Sequence, residues 1–263
     1  MQLERASGRL GNTSYIDSTN EFTRGRRLFL GCLLTWLLGT TALVLWANWS
    51  LAAHRAVILM ASGLILLWVV GCGSAMVRYR DRISDWVRQA PLPWGVKFVL
   101  GCTVLAMVEE AITTTMTNLA PAFGVRVGEA YITASANYFD VVGLHSVVIF
   151  VSLFVGWAVI LSRFDFSAYS VFVLFGITGT LAEMAYGGPQ HVLEFGMWCF
   201  VYGLMIWIPA RGLPNRLKAR KPSWWVYPMA VFVPFLFIPL FPLALVVRAF
   251  FPHHPDIHFP PLR

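Results

Sequence analysis

VKFVLGCTVLAMVEEAITTTMTN, residues 96–118, is apolar for long enough to cross a bilayer, yet it carries Glu109 and Glu110 side by side. A carboxylate at the centre of a membrane helix costs about 2.5–3.5 kcal/mol on insertion scales. Such a pair belongs on a face turned toward other helices or a wet cavity, and intramembrane carboxylates usually mark function. The rest of the chain is organised around this segment.

Working outward, composition fixes the class. The chain is 57% hydrophobic and 13% charged, far from an ordinary soluble domain and typical of multi-span membrane proteins. Its net charge of +7 comes from basic residues grouped beside apolar segments. There they orient the chain and meet anionic headgroups, so membrane lipids are expected partners and nucleic acid is not. Cys32, Cys72, Cys102 and Cys199 all fall inside apolar segments without metal-ligand spacing and read as small packing residues.

Apolar segments at residues 28–49, 56–77, 96–117, 141–161, 169–186 and 192–210, and a last one reaching about residue 250, predict an all-α polytopic membrane protein with about seven transmembrane helices. Pro228, Pro234, Pro239 and Pro242 predict that the last segment is kinked or partly broken. The clusters Arg24–Arg26–Arg27, Arg78–Arg80–Arg82–Arg88 and Arg211–Arg216–Lys218–Arg220–Lys221 then share one side, with every Lys and Arg except Arg55, Arg126, Arg248 and Arg263. The positive-inside rule makes that side the cytoplasm. The expected organisation is a cytoplasmic polar tail (1–27), one transmembrane domain (28–252) and an outer tail (253–263), in a plasma or inner membrane. The connection 118–140 is only mildly polar and is expected to dip toward the membrane edge.

This topology gathers the polar residues at one end. Glu109 and Glu110 lie roughly 20 Å from the inner end of their helix, at 1.5 Å per residue. Glu183 on the fifth span, His145 on the fourth, and His191 and Glu194 at the start of the sixth fall at the same outer level. So do His54, His253, His254 and His258. Thr103, Glu110, Thr114 and Thr117 recur at helical spacing, as do Gly176, Thr180, Glu183 and Gly187, so polar or small stripes can face one another and line a cavity.

The chemistry these residue types suit is acid–base or metal-assisted. Glu109, Glu110, His145 and Glu183 are the candidate catalytic residues, and His145, Glu183 and His191 the candidate ligands for a divalent metal such as Zn²⁺. Each has a plainer reading: a protonated, hydrogen-bonded Glu pair, a helix-capping His145, an interfacial His191 and Glu194. The tail HHPDIH has a metal-binding composition, but its prolines deny it helical ligand spacing. Tyr131, Asn137 and Asp140 are expected at the cavity rim.

The Glu109–Glu110 pair, with histidines on later helices, is similar to the Glu-Glu motif of the CAAX-type prenyl protease and bacteriocin-processing family, which adds two downstream motifs containing His. The similarity stops at the pair. That family's Arg four positions after the second Glu is Thr114 here, its Phe four before a His is Val141 before His145, and its Asn four after the last His is Phe195 after His191. No family is assigned on these residues.

The leading expectation is therefore a membrane-embedded hydrolase or transferase acting on a lipid or peptide. The alternatives are a proton- or cation-coupled transporter, a haem protein using His145 and His191, and a non-catalytic assembly subunit. A transporter is disfavoured by the lack of an evident inverted repeat and by the scarcity of polar residues in the inner half.

Overall fold

Helix boundaries fall where the breakers stand in the computed structural model, which describes residues 23–214 and 219–262. Residues 1–22 and the basic pair Arg216 and Lys218 lie outside the described residues. In chain order the helices are α1 (Arg24–Ala47), α2 (Ala52–Gln89), α3 (Trp94–Asn118), α4 (Tyr138–Leu144), α5 (Ser146–Arg163), α6 (Ala168–Gly187), α7 (Phe195–Arg211), α8 (Val226–Leu240) and α9 (Leu243–Phe250). Two short 3₁₀ turns, Ala120–Phe123 and Pro189–Glu194, follow α3 and precede α7. No strand forms among the described residues, only two isolated bridges.

Local chemistry explains the ends. Ser167 and Asn137 cap α6 and α4 by accepting the Ser170 and Phe139 amides. Gly188, at φ +107°, stops α6 in a conformation that side chains other than glycine's rarely adopt. Pro242 separates α8 from α9, the break its prolines predict.

Six stretches are long and apolar enough to cross a membrane: Arg24–Ala47, Ala52–Gln89, Tyr138–Arg163, Ala168–Gly187, Pro189–Arg211 and Val226–Phe250. This makes the chain a multi-pass helical membrane protein. The expected count of seven included α3, which is not among the six. α3 is 25 residues long and holds the paired carboxylates at 5% exposure, packed against α5, α7 and α2.

Two elements differ from expectation. α2 does not end near residue 77 but runs on as one helical stretch of 38 residues, π-helical over Ile65–Cys72 and on the order of 55 Å long, because no proline stands before Pro91. A hydrocarbon core is only about 30 Å thick, so its arginine-rich end projects beyond it. The fourth span is not one helix: it breaks at His145 (φ −122°, ψ −104°) into α4 and α5.

Packing centres on α5, α6 and α7, around Phe154, Trp157, Phe175, Met205 and Ile206. Gly176 and Gly179 allow α6 and α7 to touch, since a methyl at Gly179 would lie 2.1 Å from the Tyr202 ring. The buried indole of Trp68 donates to the Val201 carbonyl at 3.0 Å and pins α2 to α7.

The connection after α3 folds back onto the helix ends. Asn118 Nδ2 donates to the Ala136 carbonyl at 2.8 Å, the Ile132 amide to Thr117 Oγ1 at 3.2 Å, and the Tyr138 hydroxyl to the Met107 carbonyl at 3.0 Å. The C-terminal residues join this layer. The His258 amide donates to the Ala134 carbonyl at 2.9 Å, and Tyr131 stacks on Phe259 with ring centroids 4.8 Å apart.

Candidate metal centre and carboxyl cluster

The Asn137 cap starts α4 so that Asp140 falls in its first turn, buried. The break at His145 then turns that imidazole back toward Asp140, and the folded tail brings His254 and His258 to the same point. One ligand atom from each of these four residues lies within 4.8 Å of the other three. His254 Nε2 is 2.7 Å from Asp140 Oδ1, 3.1 Å from His145 Nε2 and 3.2 Å from His258 Nε2.

Without a cation this arrangement is poorly satisfied. Each facing pair of neutral imidazole nitrogens needs one proton between them, and His254 Nε2 faces two such nitrogens and a carboxylate oxygen. Asp140 Oδ2 lies 3.0 Å from His258 Nε2 and 3.6 Å from His145 Nε2, yet it is buried and takes no hydrogen bond. Tetrahedral Zn²⁺ with bonds of 2.0–2.1 Å requires donor separations of about 3.3 Å, and the separations here run from 2.7 Å to as much as 4.8 Å, so a small closing of the site would bring all four donors onto an ion. Three imidazoles and one carboxylate therefore fit a borderline divalent metal such as Zn²⁺.

The centre is buried on one side and open on the other. The His145 side chain is 9% exposed and that of His258 36%. A cleft of about 490 Å³ reaches Asp140, His254 and His258 past Ser135, Asn137, Phe139 and Leu144.

A second polar cluster lies deeper between α3, α5, α6 and α7. Glu110 Oε2 accepts from the Thr113 hydroxyl at 2.9 Å and the Thr133 hydroxyl at 3.2 Å, and the Ser146 side chain lies beside the same carboxyl. Among the described residues no hydrogen bond reaches the Glu109 carboxyl, which interacts electrostatically with Glu110 and Glu183. The Tyr202 hydroxyl donates to Glu183. Nearer the rim, His191 Nδ1 and Glu194 Oε2 pair at 2.8 Å, and the Trp198 indole donates to the same oxygen at 3.0 Å.

Of the expected metal ligands His145, Glu183 and His191, only His145 belongs to the metal-capable group. Glu183 is engaged by Tyr202 and His191 by Glu194. The expected catalytic residues divide likewise, His145 in the metal centre and Glu109, Glu110 and Glu183 in the deeper cluster. Asp140, a rim residue by sequence, belongs to the metal-capable group, as do His254 and His258, whose neighbouring prolines deny them helical ligand spacing. Their i, i+4 separation is realised instead on a nonhelical tail. The two histidines weighed as a haem pair have different neighbours, His145 meeting His254 and His191 meeting Glu194.

Fold and site together define a multi-pass helical membrane protein with a buried Asp/His cluster able to hold a metal. No protein-family model, no curated protein and no solved structure matches the chain.

Proposed function

We propose that this protein is a membrane-embedded, metal-dependent hydrolase in which Asp140, His145, His254 and His258 hold a Zn²⁺-type ion. The observation that carries this reading is the convergence of three imidazole nitrogens and a buried, unbonded carboxylate oxygen at the floor of an open cleft. A bound Zn²⁺ lowers the pKa of its water to about 7 and polarises a carbonyl or phosphoryl oxygen.

The chain's own residues would do the rest. His145 and His254, fixed by the α4–α5 break and the folded tail, orient the ion. The Asp140 carboxylate, facing His254 at Oδ1 and His258 at Oδ2, would complete the donor set. Ser135 and Asn137 offer hydrogen bonds to a polar group in the cleft, while Phe139 and Leu144 accept an apolar one. That mixed lining suits a lipid or peptide at the membrane boundary. In the same reading α3 is a seventh span, the N-terminus is cytoplasmic and the C-terminus outside, and the cleft faces the outer leaflet, because the basic residues gather at the opposite end.

The test is to incubate the purified protein with liposomes of defined phospholipids and with a peptide library, and to follow products by mass spectrometry. Hydrolysis by the Zn²⁺-loaded wild type that disappears in His258→Ala supports the proposal. Equal product from both variants overturns it.

A second reading rests on ligand count. Four protein donors close a tetrahedral site, which is the pattern of structural zinc. Co²⁺ substitution separates the two. A visible spectrum that changes with added azide reports an open coordination position, and an insensitive spectrum favours the structural role.

A further inference from the structure

We infer that Glu110 is a positioning residue for the metal centre, tying together the two segments that present its ligands. This rests on the metal reading above.

The ties run from named atoms. The carboxyl of Glu110, buried on α3, accepts from Thr133 and lies beside the side chain of Ser146. Ser146 is the residue after His145 and the first of α5, so fixing its side chain fixes the break that turns His145 inward. Thr133 is the residue before Ala134, whose carbonyl receives the His258 amide at 2.9 Å. A single carboxyl thus braces the α4–α5 break on one side and the strip that anchors the tail on the other. Its third donor, Thr113, lies on the same helix and connects to neither segment.

The physical reason for a carboxylate here is its acceptor capacity. A carboxylate offers two oxygens and about four lone-pair positions with no donor, so three hydroxyls can converge on it. Glutamine supplies one acceptor oxygen and replaces the other by a donor, which halves the acceptor capacity of the site and removes its charge. Groups that orient metal ligands typically contribute 10–100-fold to metal affinity. The costly burial of Glu110 in a membrane helix is accounted for by this role, independently of any proton it holds.

The test measures Zn²⁺ affinity by chelator competition on the full-length protein in detergent, alongside the melting temperature of the metal-free form. Glu110→Gln, Ser146→Ala and Thr133→Val are each expected to weaken Zn²⁺ binding by about 10–100-fold with little change in the metal-free melting temperature. Thr113→Val is expected to bind within about twofold of wild type. If Glu110→Gln fails to fold, Ser146→Ala and Thr133→Val carry the test alone. Wild-type affinity in both of those variants overturns the role of Glu110, as does a loss that tracks falling melting temperature equally in Thr113→Val. A wild-type chain that takes up no Zn²⁺ overturns the metal centre itself.

Discussion

At the scale of single residues, burial and hydrogen-bond satisfaction separate groups that looked alike in the sequence. Glu109 and Glu110 are neighbours with equal exposure of 5%, but only Glu110 is held by hydroxyl donors. His145 and His191 both sit at helix starts, and only His145 meets other imidazoles. The account therefore predicts that His254→Ala lowers metal affinity by about 100-fold or more, since it deletes a ligand rather than a supporting group. His191→Ala leaves it unchanged, as isothermal titration with Zn²⁺ would show. Because protons compete for the same imidazole nitrogens, affinity falls as pH falls. An affinity independent of pH across the imidazole range would be incompatible with a histidine-rich site. The pair Glu109–Glu110 was legible as a buried polar pair because carboxylates stand out in an apolar run. Asp140 was not legible, because one acid at a helix start is the ordinary pattern of a solvated cap.

At the scale of elements, helices were legible wherever apolar length and breakers agreed, as for α1 and α6. They were misjudged where a polar stretch continued a helix without a breaker, as in the second half of α2. The break at His145 carries no proline or glycine at that residue and no signal in hydrophobic period. The small-residue stripe on α6 was visible, and its partner is now the Tyr202 face of α7. Gly179→Ala forces a methyl into the Tyr202 ring, so it should destabilise the protein by about 1–3 kcal/mol, the usual cost of overpacking. The same substitution should shift the Tyr202 hydroxyl that donates to Glu183. A thermal melt in detergent equal to that of wild type would show that α6 and α7 do not approach this closely. The tail is the least self-sufficient element. Apart from His254 and His258 in the metal-capable cluster, residues 251–262 are held by contacts that include the His258 amide, Tyr131 against Phe259 and Pro260, Leu262 against the small apolar cluster around Met60 and Met116, and an exposed Arg248–Asp256 pair at 3.2 Å. Chelation should therefore release it, seen as faster hydrogen exchange over residues 253–262 with exchange in α5 and α7 unchanged. Exchange in the tail that does not respond to chelator would mean that the protein contacts suffice.

At the scale of the whole molecule, chemistry and charge lie at opposite ends of the bundle. Arginines crowd one end, from α1, the projecting end of α2 and the end of α7, where Arg211 pairs with Asp81 at 2.7 Å. The metal-capable cluster and the carboxyls of Glu109, Glu110 and Glu183 lie at the other end. This polarity was legible from the alternation of basic and bare connections. Assembly of the metal centre was not, because it joins residue 140 to residue 258 through a fold-back that no local pattern encodes. The most direct measurement is the metal content of the purified full-length protein by elemental analysis, for wild type, Asp140→Asn, His258→Ala and Glu183→Gln. The account predicts about one transition-metal ion per chain in wild type and Glu183→Gln and close to none in the other two, as expected when a first-sphere donor is lost. A metal-free wild type, or metal lost from Glu183→Gln and retained in His258→Ala, would contradict it.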